Sequence, residues 1–327
     1  MKIGVPMKYC AILVAVALSC ASASANDWSE PLRRAELLLG SGDYAAAQAE
    51  YETQARLGNG LAQFTLGLFY QLGWAGNISQ TQSCGWFKLA AENQVPAAQE
   101  QLGYCYLADH FNSAQQALAY QWFEKAYRAG IHSAGCELGK LHIGGEYAAS
   151  DHRKGVQLCQ QAAMAGATAA QMQLGKWLLE GTVLEAEPRQ ALFWFEAAAN
   201  NNSAEAAHYV ARFYDTGTVV AKDPAKALIW YELAASLGHL DAYLPAAALH
   251  WAQYSAAADE TNAEHLAKAY VWATAASTLL PSEHIGYTGI TALLSHIKTV
   301  MPLSWQAELQ ARIDAHLNQF TQLAHRR

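Results

Sequence analysis

The chain has 327 residues, 52% of them hydrophobic and only 15% charged, so it can fill a large core and is too apolar to stay unfolded. Its 21 basic and 28 acidic residues give a formal net charge of −7, which leaves no electrostatic footprint for nucleic acid or an anionic membrane. Only 8 prolines are present, so long uninterrupted helices are allowed.

The N-terminus reads as an export signal. Lys2 and Lys8 form a positive n-region, and "CAILVAVALSC" (Cys10 to Cys20) forms a short apolar h-region. "ASASA" (Ala21 to Ala25) supplies the small residues of a cleavage site. The expectation is Sec export with cleavage after Ala25 or Ala23, giving a periplasmic or secreted protein. The apolar run is short for a membrane span and no second long one follows, so no span is expected after cleavage. An uncleaved N-terminal anchor is the alternative. A lipoprotein at Cys20 fits less well, because Ala17 stands where a lipobox wants leucine. Losing Lys2 and Lys8 leaves 19 basic residues against 28 acidic ones, a mature charge of about −9.

Next comes "LRRAELLLGSGDYAAAQAEYETQARLGNG" (Leu32 to Gly60), which reads as a short, divergent helix pair within a first segment of residues 26–61. From there a 36-residue period takes over. Leu66-Gly67 returns as Leu102-Gly103, Leu138-Gly139 and Leu174-Gly175, then weakens to Val210-Ala211 and Ala246-Ala247. Four residues before each anchor stands an alanine: Ala62, Ala98, Ala134, Ala170, Ala206 and Ala242. In the second half of the unit Trp86, Trp122, Trp194 and Trp230 share one phase, with Leu158 in the remaining copy. A last copy is shifted by six residues and carries Trp272 and Ala276.

Each unit reads as helix A, loop, helix B. The helix-A anchors fall on one face of a 3.6-residue period. Gly73, Gly145, Gly181 and Gly217 suit the left-handed cap that ends helix A. Asp223 is a good N-cap for helix B, with Pro224 at the first helical position and Asp151 and Glu187 in the same phase. Gly58, Gly130, Gly166 and Gly238 end helix B, where Gln94 and Asn202 depart from glycine. A unit this short cannot bury its own face, so the units must stack. The predicted fold is all-α: a right-handed α-solenoid of six to seven helix-loop-helix repeats over residues 62–280. A C-terminal helical cap over 281–327 follows, built from two amphipathic helices with Ser304 as the N-cap of the second.

The segments "LGLFYQLG", "LGKWLLEGT" and "DPAKALIWYELAASLGHLDA" resemble the Sel-one-like repeat, a relative of the tetratricopeptide repeat. The resemblance covers roughly residues 32–280 and implies an α-solenoid that binds other proteins. The third copy departs most, with Gly155 and Leu158 in place of alanine and tryptophan.

No nucleotide, nucleophile-elbow or zinc-protease motif is present, and none of the 12 histidines pairs with another at i, i+4. The expectation is therefore no enzyme, no cofactor and no metal. His142 and His250 stand where other copies carry tyrosine and are read as aromatic substitutes; His239 is read as solvated. The tryptophans are read as packing between layers. A β-lactam-binding or hydrolase reading is a minor alternative, because the chain lacks S-x-x-K and the two cysteines per repeat of such relatives. Four cysteines follow the signal: Cys84, Cys105, Cys136 and Cys159. A turn centred near Gln94 sets Cys84 opposite Cys105, the favoured bridge. Cys136 and Cys159 miss alignment by about one helical turn, roughly 5 Å, which disfavours the second.

By transfer from tetratricopeptide-like superhelices, helix A lines the concave face. That predicts a partner surface graded from apolar to charged: Leu61, Phe64, Leu68 and Gln71, then Tyr104 and Leu107, then Lys140, Met172 and Lys176, then His208 and Arg212. The partner is expected to be a protein or peptide of the cell envelope, bound by a monomer. A polysaccharide or peptidoglycan ligand stacked on Phe64, Tyr104 and Trp251 is the alternative. A curvature that closes and buries these side chains would remove the surface.

Overall fold

The computed structural model describes residues 30–108, 113–144, 151–256 and 262–324. The predicted signal peptide, Cys20 and Gly145 lie outside them. The described residues form sixteen α-helices and no strand, divided into two compact units with the boundary in the chain between Ala167 and Thr168.

The first unit holds α1 (Arg33–Gly40), α2 (Tyr44–Arg56), α3 (Gly60–Leu72), α4 (Gln80–Glu92), α5 (Pro96–Ala108), α6 (Ser113–Arg128), α7 (Ser133–Gly144) and α8 (His152–Met164). The second holds α9 (Thr168–Glu180), α10 (Pro188–Asn200), α11 (Ala204–Thr216), α12 (Pro224–Ser236), α13 (Tyr243–Ala256), α14 (Asn262–Leu279), α15 (Tyr287–Val300) and α16 (Gln306–Ala324). Each predicted helix A is followed by its helix B, from α3–α4 to the divergent α13–α14.

The helix ends follow the sequence signals in most copies. Asp151 and Asp223 accept hydrogen bonds from the Lys154 and Lys226 amides at 2.9 and 3.0 Å. Glu187 stands in the same phase without a side-chain cap, and its helix starts instead on the fixed φ of Pro188. Gly73 and Gly217 close helix A with φ of 65° and 72°. Gln94 and Asn202 adopt the same left-handed backbone as the glycines they replace, both at φ 63°. In those two copies the preceding asparagine ties the turn down. Asn93 Nδ2 donates to buried Gln63 Oε1 at 2.8 Å, and Asn201 Nδ2 to buried Gln171 Oε1 at 3.2 Å. Ser304 does not cap α16. It sits inside a 3₁₀ turn, Leu303–Trp305, that leads directly into the helix.

The core ring of each repeat is one residue beyond the tryptophan. Trp86, Trp122, Trp194 and Trp230 are half-buried, whereas Phe87, Phe123, Phe195 and Tyr231 are at most 3% exposed. One step along a helix turns a side chain through about 100°, so only one of two neighbours can face the seam squarely. The three phenylalanines each lie over the glycine of the helix-A anchor, while Tyr231 belongs to the copy whose anchor is Ala211. A Cβ on Gly67, Gly103 or Gly175 would stand 2.3–2.6 Å from the nearest atom of Phe87, Phe123 or Phe195. The anchor glycines are thus sockets for aromatic rings.

The third copy solves the same contact differently. Cys159 holds the ring phase and is disulfide-bonded to Cys136, 23 residues earlier. The same interval separates Phe64 from Phe87 and His208 from Tyr231, whose rings meet at 5.7 Å in each case. The expected one-turn misalignment of Cys136 and Cys159 is therefore wrong: position −2 of helix A meets the ring phase of helix B in register. With no ring to house, α7 and α8 approach until Gly139 and Gly155 face each other backbone to backbone, and the two cysteine Cα atoms are 3.9 Å apart. Cys84 and Cys105 form the second disulfide, joining α4 to α5 with Cα atoms 5.8 Å apart.

Candidate functional site

Helix A of one repeat lies beside helix A of the next within each unit, and polar pairs bridge them. In the first unit Gln71 Nε2 donates to Gln101 Oε1 at 3.3 Å, and the Ser133 hydroxyl donates to the Glu100 carboxylate. The Tyr104 hydroxyl donates to Glu137 at 3.3 Å, and Lys140 pairs with the same carboxylate at 2.6 Å. Burial pushes the Glu100 carboxyl up, offset by the Ser133 hydrogen bond. Burial also holds the Tyr104 hydroxyl well above the phenol range, with the Glu137 charge adding to it. In the second unit Lys176 pairs with Glu205 at 2.8 Å. Beyond it lie the His208 and His239 rings, 4.5 Å apart, and Asp241, 3.1 Å from His284 Nε2.

The structure splits the predicted partner residues by exposure. Gln71, Lys140 and Arg212 are exposed; Leu61, Tyr104, Leu107, Lys176 and His208 are half-buried. Phe64, Leu68 and Met172 are 5%, 5% and 8% exposed and belong to the core. Position −2 is the seam to the same repeat's helix B, so a bulky apolar side chain there is drawn inward. The predicted apolar end of the surface is thus partly internal, and the fully exposed residues, Gln71, Lys140 and Arg212, are polar or charged. Phe64 likewise cannot stack on a sugar.

Sequence reasoning missed a recurring polar pair. The Tyr214 hydroxyl donates to Glu196 at 3.2 Å, and His250 Nε2 lies 3.0 Å from Glu232, each pair 18 residues apart. His250 is fully buried in the tyrosine phase, as its substitution for an aromatic residue implies. Its Nδ1 is 2.9 Å from His265 Nδ1. With Nε2–H given to the carboxylate, His250 Nδ1 accepts from His265. Among the described residues no group of three histidines, cysteines or carboxylates is placed to hold a metal. No described helix is long and apolar enough to cross a membrane.

His239 is only 24% exposed through its side chain, packed against His208 rather than solvated. Burial, and then the neighbouring His239, pulls the His208 imidazole down to about 4; burial also lowers His239. Both rings bind protons more readily unfolded than folded. Their contribution to stability is therefore complete above about pH 6.5 and is lost as pH falls through that value towards 4. For half-buried His208 alone the expected loss is on the order of 2 kcal/mol. Urea denaturation of the wild type and His208→Phe at several pH values checks this: the variant should show the shallower acid slope. Equal slopes would remove His208 from the acid response.

The Sel1 repeat profile matches residues 60–95, 96–131, 133–166, 168–203 and 204–239, just over half of the chain. Among solved structures, a Sel1 repeat protein from Oxalobacter formigenes is 25% identical with a TM-score of 0.56, over 67% of this chain and 89% of that one. The immunity protein Pa5087 from Pseudomonas aeruginosa is 19% identical with a TM-score of 0.46, over 72% and 84%. A protective antigen of uropathogenic Escherichia coli, c5321, with an SLR fold, is 19% identical with a TM-score of 0.36, over 96% and 87%. No curated protein matches by sequence. Five matched copies, each a helix A followed by its helix B, place the chain in the Sel1 repeat family.

Proposed function

We propose that the protein is an exported, non-enzymatic scaffold that binds a protein or peptide partner of the cell envelope through its helix-A faces, acting as a monomer in assembly or regulation. One observation carries the reading. The scaffold positions of helix A repeat from copy to copy, while position +2 changes along the chain from Leu68 and Tyr104 to Lys140, Lys176 and Arg212, and position +5 runs Gln71, Leu107, Ile143, Leu179 and Asp215. A surface that varies on a fixed frame is what selective recognition of an extended partner requires. Two disulfides support export, because such bonds persist in oxidising compartments.

The test is capture from crosslinked periplasm by the full chain and by Lys140→Glu/Arg212→Glu, with fractionation of the wild type alongside. The reading predicts that a partner crosslinked to the wild type is lost from the variant, while circular dichroism stays unchanged. Full retention of every partner by a folded variant would remove the helix-A faces as the site. Wild-type protein found only in the cytoplasm would remove the envelope.

A further inference from the structure

The Gln–Asn pair described above is broken in one copy, and a cleft opens where it fails. In the first and fourth copies Asn93 and Asn201 each donate a carboxamide N–H to the glutamine 30 residues earlier, Gln63 and Gln171. In the second copy the glutamine is Gln99, and Ala129 holds the asparagine phase. Gln99 is only 7% exposed, and its Oε1 is fully buried without a hydrogen-bond partner. A buried acceptor left bare is unfavourable, which favours anything that brings it a donor. Gln99 lines an open cleft of about 670 Å³ between the C-terminal ends of α4 and α6 and the first turn of α5.

The rest of the cleft has a definite character. Trp122 offers an indole face, over which Lys125 Nζ sits 3.8 Å from the ring centroid. Arg128 lies one turn further on, paired with half-buried Glu124 at 2.8 Å. Glu92 is the one carboxylate in the lining, against the two cations. We propose that this cleft binds an acidic peptide bearing an asparagine, whose carboxamide N–H takes the place of the missing Asn side chain on Gln99 while an adjacent carboxylate meets Lys125 and Arg128. The occupant's amide is specified by the repeat itself, since Asn93 and Asn201 show which group fits this phase. Its charge is specified by the lining, and Trp122 covers the backbone between them. The site lies at the helix ends and does not rest on partner binding by the helix-A faces.

Ala129→Asn restores the pair seen in the other copies and should close the site with its own side chain. The probe is the acetylated, amidated tetrapeptide Gly-Asn-Asp-Gly, titrated into the full chain by calorimetry. The proposal predicts saturable binding at millimolar concentration or below, weakened at least tenfold when the peptide's Asn becomes Leu or its Asp becomes Asn. Ala129→Asn and Lys125→Gln/Arg128→Gln should weaken it to the same degree, and Ala129→Asn alone should melt above the wild type. Gln99→Leu removes the acceptor directly and decides the matter if Ala129→Asn does not fold. No binding to the wild type, binding indifferent to the peptide's Asn, or undiminished binding by folded Ala129→Asn or Gln99→Leu would each overturn the proposal.

Discussion

Gly139→Ala is expected to destabilise the first unit by about 4 kcal/mol, and Gly67→Ala by about 2 kcal/mol, although both add a single methyl group at the same repeat phase. The obstacles differ in kind. At Gly67 the new Cβ would stand 2.3 Å from Cε1 of the Phe87 ring, a side chain that can be exchanged. At Gly139 it would stand 2.3 Å from the Gly155 carbonyl oxygen, so two helix backbones must separate, and the disulfide beside them resists that movement. Phe87→Leu should therefore recover part of the Gly67→Ala loss, as a coupled pair does in a double-mutant cycle. No side-chain substitution at Cys159 should rescue Gly139→Ala. Urea midpoints of the singles and doubles measure both statements. Equal losses at the two glycines, or additivity of Gly67→Ala with Phe87→Leu, would mean that the socket is not what these glycines provide.

The second large effect concerns the disulfides. Closing loops of 21 and 23 residues contributes about 3 kcal/mol each in the chain-entropy account. Their surroundings make them unequal. Cys84 and Cys105 are half-buried, whereas Cys136 and Cys159 are 3% and 0% exposed and stand where other copies pack larger side chains. Mild reductant should open Cys84–Cys105 in the folded protein and leave Cys136–Cys159 intact until the unit unfolds. Cys136→Ala/Cys159→Ala should lower stability more than Cys84→Ala/Cys105→Ala, because it also thins the centre of the repeat. Alkylation followed by mass spectrometry gives the order of reduction, and thermal melts give the two losses. Prior reduction of Cys136–Cys159 in folded protein would contradict the assignment.

The fold was legible because capping residues and anchors recur at a fixed interval. Asp223, Gly73 and Gly217 do at the helix ends what those residue types favour. The core ring was harder to see. Phe87, Phe123, Cys159, Phe195 and Tyr231 share a phase but not a residue type, and each of the four rings sits beside a more conspicuous tryptophan. The candidate surface was only partly legible for a related reason. Position −2 carries Phe64, Glu100, Cys136, Met172 and His208, a variability that looks like recognition. In three of these copies the structure matches the side chain inside the repeat, since Phe64 meets Phe87, Cys136 meets Cys159 and His208 meets Tyr231. A phase borrowed from tetratricopeptide geometry could not reveal those partners, because they lie 23 residues away on another helix.

The ring over its socket also acts as a ruler on the chain. Gly67 to Phe87, Gly103 to Phe123 and Gly175 to Phe195 are each 20 residues apart, and the disulfide copy keeps the same count from Gly139 to Cys159. The linkers inside these intervals share almost no sequence, yet none has gained or lost a residue. In the last copy the ring phase is Ala273, and the interval from Ala247 has grown to 26 residues. Insertions are thus tolerated where neither a ring nor a disulfide occupies the ring phase, and the length of the A–B linker, rather than its composition, separates the copies that keep such a link from the one that has neither.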